Sequence, residues 1–259
     1  GIRPGDIFLN NDPHIGGFHA PDILIGIPIF YGERLVGWAG SMTHVPEVGA
    51  VEPGGLPASA TSRFQEGLFF SAVKIGTNDT LHRDIENTIA RNVRDPSVWL
   101  LDTRAKVAAA RHVRETVLKL IDQYSPEYYV EAVQEYIEDT RRAARRKMAR
   151  VMVPGRYRAR GFLDGEIPNG HQALMQINLE VQVDREGNVS LDYEGTSPEE
   201  PLPLNMSVPA TDGAIFCNLI QYVFYDCHFN DGITYAVQMK LPESLLRCSP
   251  FASTVGAPG

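Results

Sequence analysis

"DILIGIPIFYGERLVGWAGSMTH", residues 22–44, holds two apolar runs, Ile23–Phe30 and Leu35–Met42, around Tyr31-Gly32-Glu33-Arg34. Gly32 is the residue a tight turn needs, so the stretch reads as a β-hairpin. With the turn centred on Gly32–Glu33, paired residue numbers sum to about 65. Asp22 then falls opposite Thr43, and Pro21 opposite His44. His44, distant in sequence, returns to the rim where Asp22 stands, one loop step from His19. Two imidazoles and a carboxylate with open positions suit a divalent transition metal such as Mn, Fe or Zn. Asp12, His14 and Glu47 are nearby candidates for proton transfer. Spacing alone leaves a second reading open, in which His19 and Asp22 are loop polars and His44 is a satisfied strand-end histidine.

Working outward, the first 80 residues are rich in Gly and Pro and carry short apolar runs, read as strands and long loops. "LHRDIENTIARNVRDP" reads as a helix that stops at Pro96. A longer helix starts at Ser97, with Val107, Val113, Val117, Leu120 and Ile121 at helical spacing. A third has Ser125 as cap and Pro126 at its first position, and forms a helical hairpin with the second. From Gly155 strand signals return, with a turn at Arg185–Asn188. "TDGAIFCNLIQYVFYD" fits a buried helix or a strand equally. The expected fold class is α+β. Residues 1–80 form a β/loop metal-site region, 81–153 a helical hairpin and 154–259 a β-rich region, all in one catalytic domain incomplete at both ends.

The chain has 259 residues, 43% hydrophobic and 22% charged, an ordinary globular composition. Its net charge of −8 removes any overall electrostatic case for nucleic acid. No apolar run of about 18 residues spans a membrane, and no basic-then-apolar leader supports secretion. Three cysteines, with no CxxC, fit a reducing cytoplasm. The arginine-rich stretch 141–150 reads as a solvated or subunit-facing helix end. No GxxxxGK[ST] phosphate-loop spacing is present.

Several motifs in one order carry a resemblance: "GDIFLNNDPHIGGFHAPD", "MTHVPEVGAVEPGGLP", "FQEGL" and "ARNVRDP", then "GRYRARGFLD", "LDYEGTS", "LPLN" and "NDG". The chain resembles the hydantoinase B/oxoprolinase family, which includes subunits of ATP-dependent hydantoinases, 5-oxoprolinases and acetone and acetophenone carboxylases. The resemblance implies that His19, Asp22 and His44 hold a divalent metal, Mn, Zn or Fe. It implies a hydantoinase A-like partner subunit that uses ATP to phosphorylate a small-molecule substrate, and so a hetero-oligomer. It makes Asn205 and Asp231 possible pocket residues. The implied activity is hydrolysis of a cyclic amide of the hydantoin or 5-oxoproline type. The alternatives are ATP-dependent ketone carboxylation and a non-catalytic assembly subunit. Many hydrolase members read His-His-Ala-Asp-Ile-Gly-Gly where this chain has "HVPEVGA", with Val45, Glu47 and Ala50 departing. Those departures add weight to the carboxylase branch.

Overall fold

Gly32 adopts a φ of +59°, open to a residue without Cβ, and turns strand β2 (Asp22–Tyr31) into strand β3 (Arg34–His44). Next to the turn the expected count holds: Tyr31 pairs with Arg34 and Phe30 with Leu35. One step further the ladder slips. Ile29 pairs with Gly37, Val36 is left over as a β-bulge, and the new register runs on to Asp22 opposite His44. The expected pairing of Asp22 with Thr43 is therefore corrected by one residue. The computed structural model that shows this describes residues 1–167 and 170–254.

Strand β1 (Ile7–Asn10) pairs antiparallel with β2 on one side and with β4 (Val73–Thr77) on the other; β5 (Thr80–Leu81) completes a sheet of order β3-β2-β1-β4-β5. Alternation along β2 sends Ile23, Ile25, Ile27 and Ile29 to one face, each at most 1% exposed. Helix α1 (Arg83–Asn92) is followed by helix α2 (Pro96–Tyr124), which packs on β2 and β3 and covers that face. Trp99, Val107 and Ala110 join the isoleucines in one core. The start of α2 differs from the expected Ser97. Pro96 takes the first helical position, where its missing N–H has no consequence, and the Asp95 carboxylate accepts from Val98 N–H.

Ser125 alone separates α2 from helix α3 (Pro126–Val151), and its hydroxyl caps Tyr128 N–H as the sequence suggested. The buried residues of α3, among them Ala144 and Met148, face a second core. That core lies on a second sheet of order β6-β7-β8-β9, from β6 (Gly155–Ile167), β7 (His171–Val183), β8 (Val189–Asp192) and β9 (Val237–Lys240), the last pair parallel. The ambiguous stretch is helix α4 (Val208–Tyr222), started by Ser207, whose hydroxyl accepts from Ala210 N–H. The mixed architecture is the α+β class expected. Among the described residues no helix is long and apolar enough to cross a membrane.

One buried amine in the first core lacks a partner. Lys106 is 2% exposed on α2, and its Nζ has no hydrogen-bond partner among the described residues. Burial pushes its pKa down, against a smaller opposing pull from Asp102. The unfolded chain therefore holds this proton more readily than the folded one, and the penalty fades as pH rises toward about 10.4. Lys106→Met is expected to raise stability at pH 7 by about 1–3 kcal/mol, with a smaller gain at pH 9.5. Urea midpoints at the two pH values check this. A variant less stable than the wild type at pH 7 would mean that the amine is satisfied.

Candidate metal centre

The loop from β1 to β2 is built by its own polar side chains. Asp12 caps a short 3-10 turn, Pro13–Ile15, by accepting from His14 N–H at 3.0 Å, and Gly16 at φ +118° ends it. Asn11 is fully buried. Its amide donates to Ala20 O at 2.6 Å and Leu68 O at 2.8 Å, and its carbonyl accepts from Phe70 N–H at 2.7 Å. Ala20 lies between His19 and Asp22 in the chain, so Asn11 fixes the backbone that presents both. Asp22 N–H donates to His19 O at 3.0 Å, and Val45 N–H donates to Pro21 O at 2.9 Å, tying the end of β3 to the same rim.

His19, Asp22 and His44 each offer one ligand atom, and these atoms all lie within 4.8 Å of one another. His19 Nε2 stands 3.4 Å from Asp22 Oδ2, and the two imidazoles meet edge to face at 5.0 Å between centroids. The side chains of His19 and Asp22 are each 14% exposed, while His44 is exposed. Both His19 ring nitrogens are buried and make no hydrogen bond among the described residues. Buried polar atoms are ordinarily satisfied, and an ion at this site would take one of the two nitrogens. Donors about 2.0–2.2 Å from a common ion stand roughly 3 Å apart. Nitrogen, nitrogen and oxygen with one open side fit a divalent transition metal.

On the same face as Asp22 and His44 the next cross-strand pair is Leu24 with Met42, both apolar. Phe18 lies edge-on to His19 at 5.5 Å. Leu24, Met42 and Phe18 thus give the triad apolar neighbours on that side.

The three proton-transfer candidates sit differently. Glu47 is buried, and both oxygens are taken: Oε1 accepts from Gly49 N–H at 2.7 Å and Arg94 Nη1 at 2.6 Å, Oε2 from Arg94 N–H at 2.6 Å. It clamps the loop after His44 to the α1–α2 link. Asp12 accepts from Ser71 Oγ at 2.6 Å and Arg63 Nη2 at 3.2 Å as well as from His14 N–H. Burial would raise its pKa, but those hydrogen bonds and the Arg63 charge outweigh it and hold the carboxyl below the usual range. Burial pushes the pKa of His14 down, Asp12 opposing and Arg63 adding to the fall, so its imidazole is neutral at pH 7. No hydrogen bond reaches the His14 ring among the described residues, which leaves it free to exchange a proton.

Asn205 is fully engaged in holding backbone, its amide donating to Glu200 O, Leu202 O and Ser253 O, while Asp231 is exposed. Arg141 and Arg142 pair with Glu135, Glu138 and Asp139 of their own helix, as a solvated face would. The cysteines are free, and burial pushes the Cys248 thiol up to about 12. Asn11, Arg63 and Arg94 went unremarked in the sequence. The arginines ion-pair with Asp12 and Glu47, residues 51 and 47 positions away, a relation that no local pattern encodes.

Two sheets, their covering helices and a histidine–carboxylate cluster at a hairpin rim define an α+β protein with a candidate metal centre. The chain belongs to the hydantoinase B/oxoprolinase family, whose profile matches residues 1–258. It is 31% identical to the acetone carboxylase alpha subunit of Xanthobacter autotrophicus over 94% of this chain and 33% of that protein. It is 31% identical to the acetophenone carboxylase delta subunit of Aromatoleum aromaticum over 98% of this chain and 38% of that one. A nucleotide-free structure of acetone carboxylase, studied for ATP-dependent acetone carboxylation, superposes with a TM-score of 0.95 at 30% identity, covering 98% of this chain and 35% of that one. The chain thus spans about a third of the length of these relatives.

Proposed function

We propose that this chain carries the metal centre of an ATP-coupled enzyme acting on an uncharged carbonyl compound, with ketone carboxylation as the reaction. The observation that carries the reading is the convergence of His19, Asp22 and His44, with both His19 nitrogens unsatisfied. A divalent metal (Mn, Zn or Fe) held there would supply a Lewis acid for a substrate oxygen. His19 and His44 enter the site as neutral imidazoles and Asp22 as the carboxylate, so the protein contributes one negative charge. Asn11 keeps His19 and Asp22 in place. The apolar row Leu24–Met42 beside the triad suits an uncharged carbon frame rather than a carboxylated one. His14 is the proton-transfer group we favour among His14, Asp12 and Glu47, because its ring is the one left free. ATP is used by a hydantoinase A-like partner subunit, which phosphorylates the substrate oxygen in a hetero-oligomer. The subunit names of the relatives support that assembly.

Similarity to two ketone carboxylase subunits and the departures in "HVPEVGA" favour carboxylation over hydrolysis here, the reverse of the order drawn from the resemblance. Cyclic amide hydrolysis stays as the second reading, supported by the family's own description. The test is an assay of the complex with its ATP-binding partner, given labelled bicarbonate and either a ketone or a cyclic amide. ATP-dependent, acid-stable label in the presence of the ketone is the expected result. Ring opening of the amide without label fixation would replace carboxylation by hydrolysis. Neither reaction, in a complex that holds together, would leave an assembly role.

A further inference from the structure

The hairpin carries one residue more than its turn allows. With Gly32 fixing a two-residue turn, a regular ladder would pair Asp22 with Thr43 and His44 with Pro21. Because side chains alternate, His44 would then lie on the face that α2 covers, away from Asp22. The slip between Ile29 and Phe30 removes this mismatch. Beyond it Ala39 lies on the buried face opposite Ile27, and Gly40, Met42 and His44 lie on the open face with Gly26, Leu24 and Asp22.

The slip has a reason to sit where it does. Gly37, opposite Ile29, has no side chain, and Val36 is partly buried against the first core. Val36 packs against the first core, so the extra residue is anchored by apolar contact at that step.

We propose that the Val36 bulge absorbs the one residue by which β3 is too long for its turn, and so keeps His44 on the face of Asp22. The inference rests on the proposed metal site for its purpose, but the register can be tested without any metal. Deleting Val36 then has an uncommon consequence. The ladder becomes regular with the same partners, Ile29 with Gly37 and Asp22 with His44, so the site survives a one-residue deletion. Exchanging two neighbours has the opposite one. Thr43→His with His44→Thr keeps composition and length but moves the imidazole to the opposite face of the strand, away from Asp22.

Cross-linking reads the register directly. Directly opposed residues have Cα atoms about 4.5–5.5 Å apart, within disulfide reach. Asp22→Cys with His44→Cys should close under copper phenanthroline, in the full chain and equally after deletion of Val36. Asp22→Cys with Thr43→Cys should not close, because the two side chains point to opposite faces. In parallel, Mn(II) titration should show the Val36-deleted chain binding within about threefold of wild type. The Thr43/His44 exchange should weaken binding by more than the ~10–100-fold of losing an outer partner, with an unchanged circular dichroism spectrum. Closure of the pair made by Asp22→Cys with Thr43→Cys, retained Mn(II) binding by the exchange variant, or loss of the 22–44 cross-link in a folded Val36-deleted chain would each overturn the proposal. A wild type that binds no Mn(II) while the 22–44 pair closes would remove the proposed function and leave the register device standing.

Discussion

Asp22→Ala is expected to take turnover to background while leaving the fold intact. The carboxylate is the single anionic donor of the three, beside two neutral imidazoles. Without it a divalent ion keeps two nitrogen ligands and no charge compensation from the protein, so both binding and the Lewis-acid contribution go. The fold has little reason to respond. The Asp22 side chain contacts His19 at 3.4 Å and is partly open to solvent, and the pairing of β2 with β3 runs through backbone groups that alanine retains. The loss of this one half-buried contact is expected to cost about 1 kcal/mol or less. Steady-state rates with the ATP-binding partner, alongside a thermal melt, check both halves. Turnover within about tenfold of wild type would correspond to only ~1.4 kcal/mol of barrier, and would take Asp22 out of the catalytic machinery.

Asn11→Ala is expected to be the most destabilising single truncation in the site region. The side chain serves three segments at once, through Ala20 O, Leu68 O and Phe70 N–H. Removing it orphans two carbonyls and one N–H around a side chain that has no exposed surface. Each unsatisfied buried group costs roughly 1–3 kcal/mol; with partial relaxation we expect a loss of about 3–5 kcal/mol in all. The melting temperature should fall by roughly 2–4 °C per kcal/mol for a chain of this size. Metal affinity should fall with it, since nothing then ties down Ala20 O in the backbone between His19 and Asp22. Asn11→Asp gives a useful contrast, because it keeps an acceptor for Phe70 N–H but loses both donors. A change below about 1 kcal/mol for the alanine variant would mean that water replaces the amide at little cost.

The parts of this architecture that local chemistry encodes were legible in the sequence. Gly32 announced the turn, Ser125 and Pro126 announced the start of α3, and alternation in "ILIGIPIF" announced a half-buried strand. Those signals also brought His19, Asp22 and His44 to one rim, with an error of a single residue. The error has a physical source: the bulge depends on tertiary packing of Val36 against the first core, and neither Val36 nor Gly37 is a marker of slippage by itself. Helix α4 could not be separated from a strand because "AIFCNLI" is apolar nearly all round, which erases both periodicities. The polar residues near the site were legible as candidates but not by role. Nothing in "HVPEVGA" says that Glu47 commits both oxygens to Arg94 and Gly49, and nothing in "NNDP" says that Asn11 bridges to Leu68 and Phe70. Those partners are non-local, and only the folded chain brings them near.

The central claim is that His19, Asp22 and His44 bind a divalent metal. It is tested most directly by inductively coupled plasma mass spectrometry of the purified wild type beside His19→Ala and His44→Ala, each expressed with Mn, Zn and Fe supplied. About one divalent ion per chain is expected in the wild type, from the one three-donor set among the described residues, and its loss in both variants. A well-folded wild type without metal, or variants that retain it in full, would contradict the account.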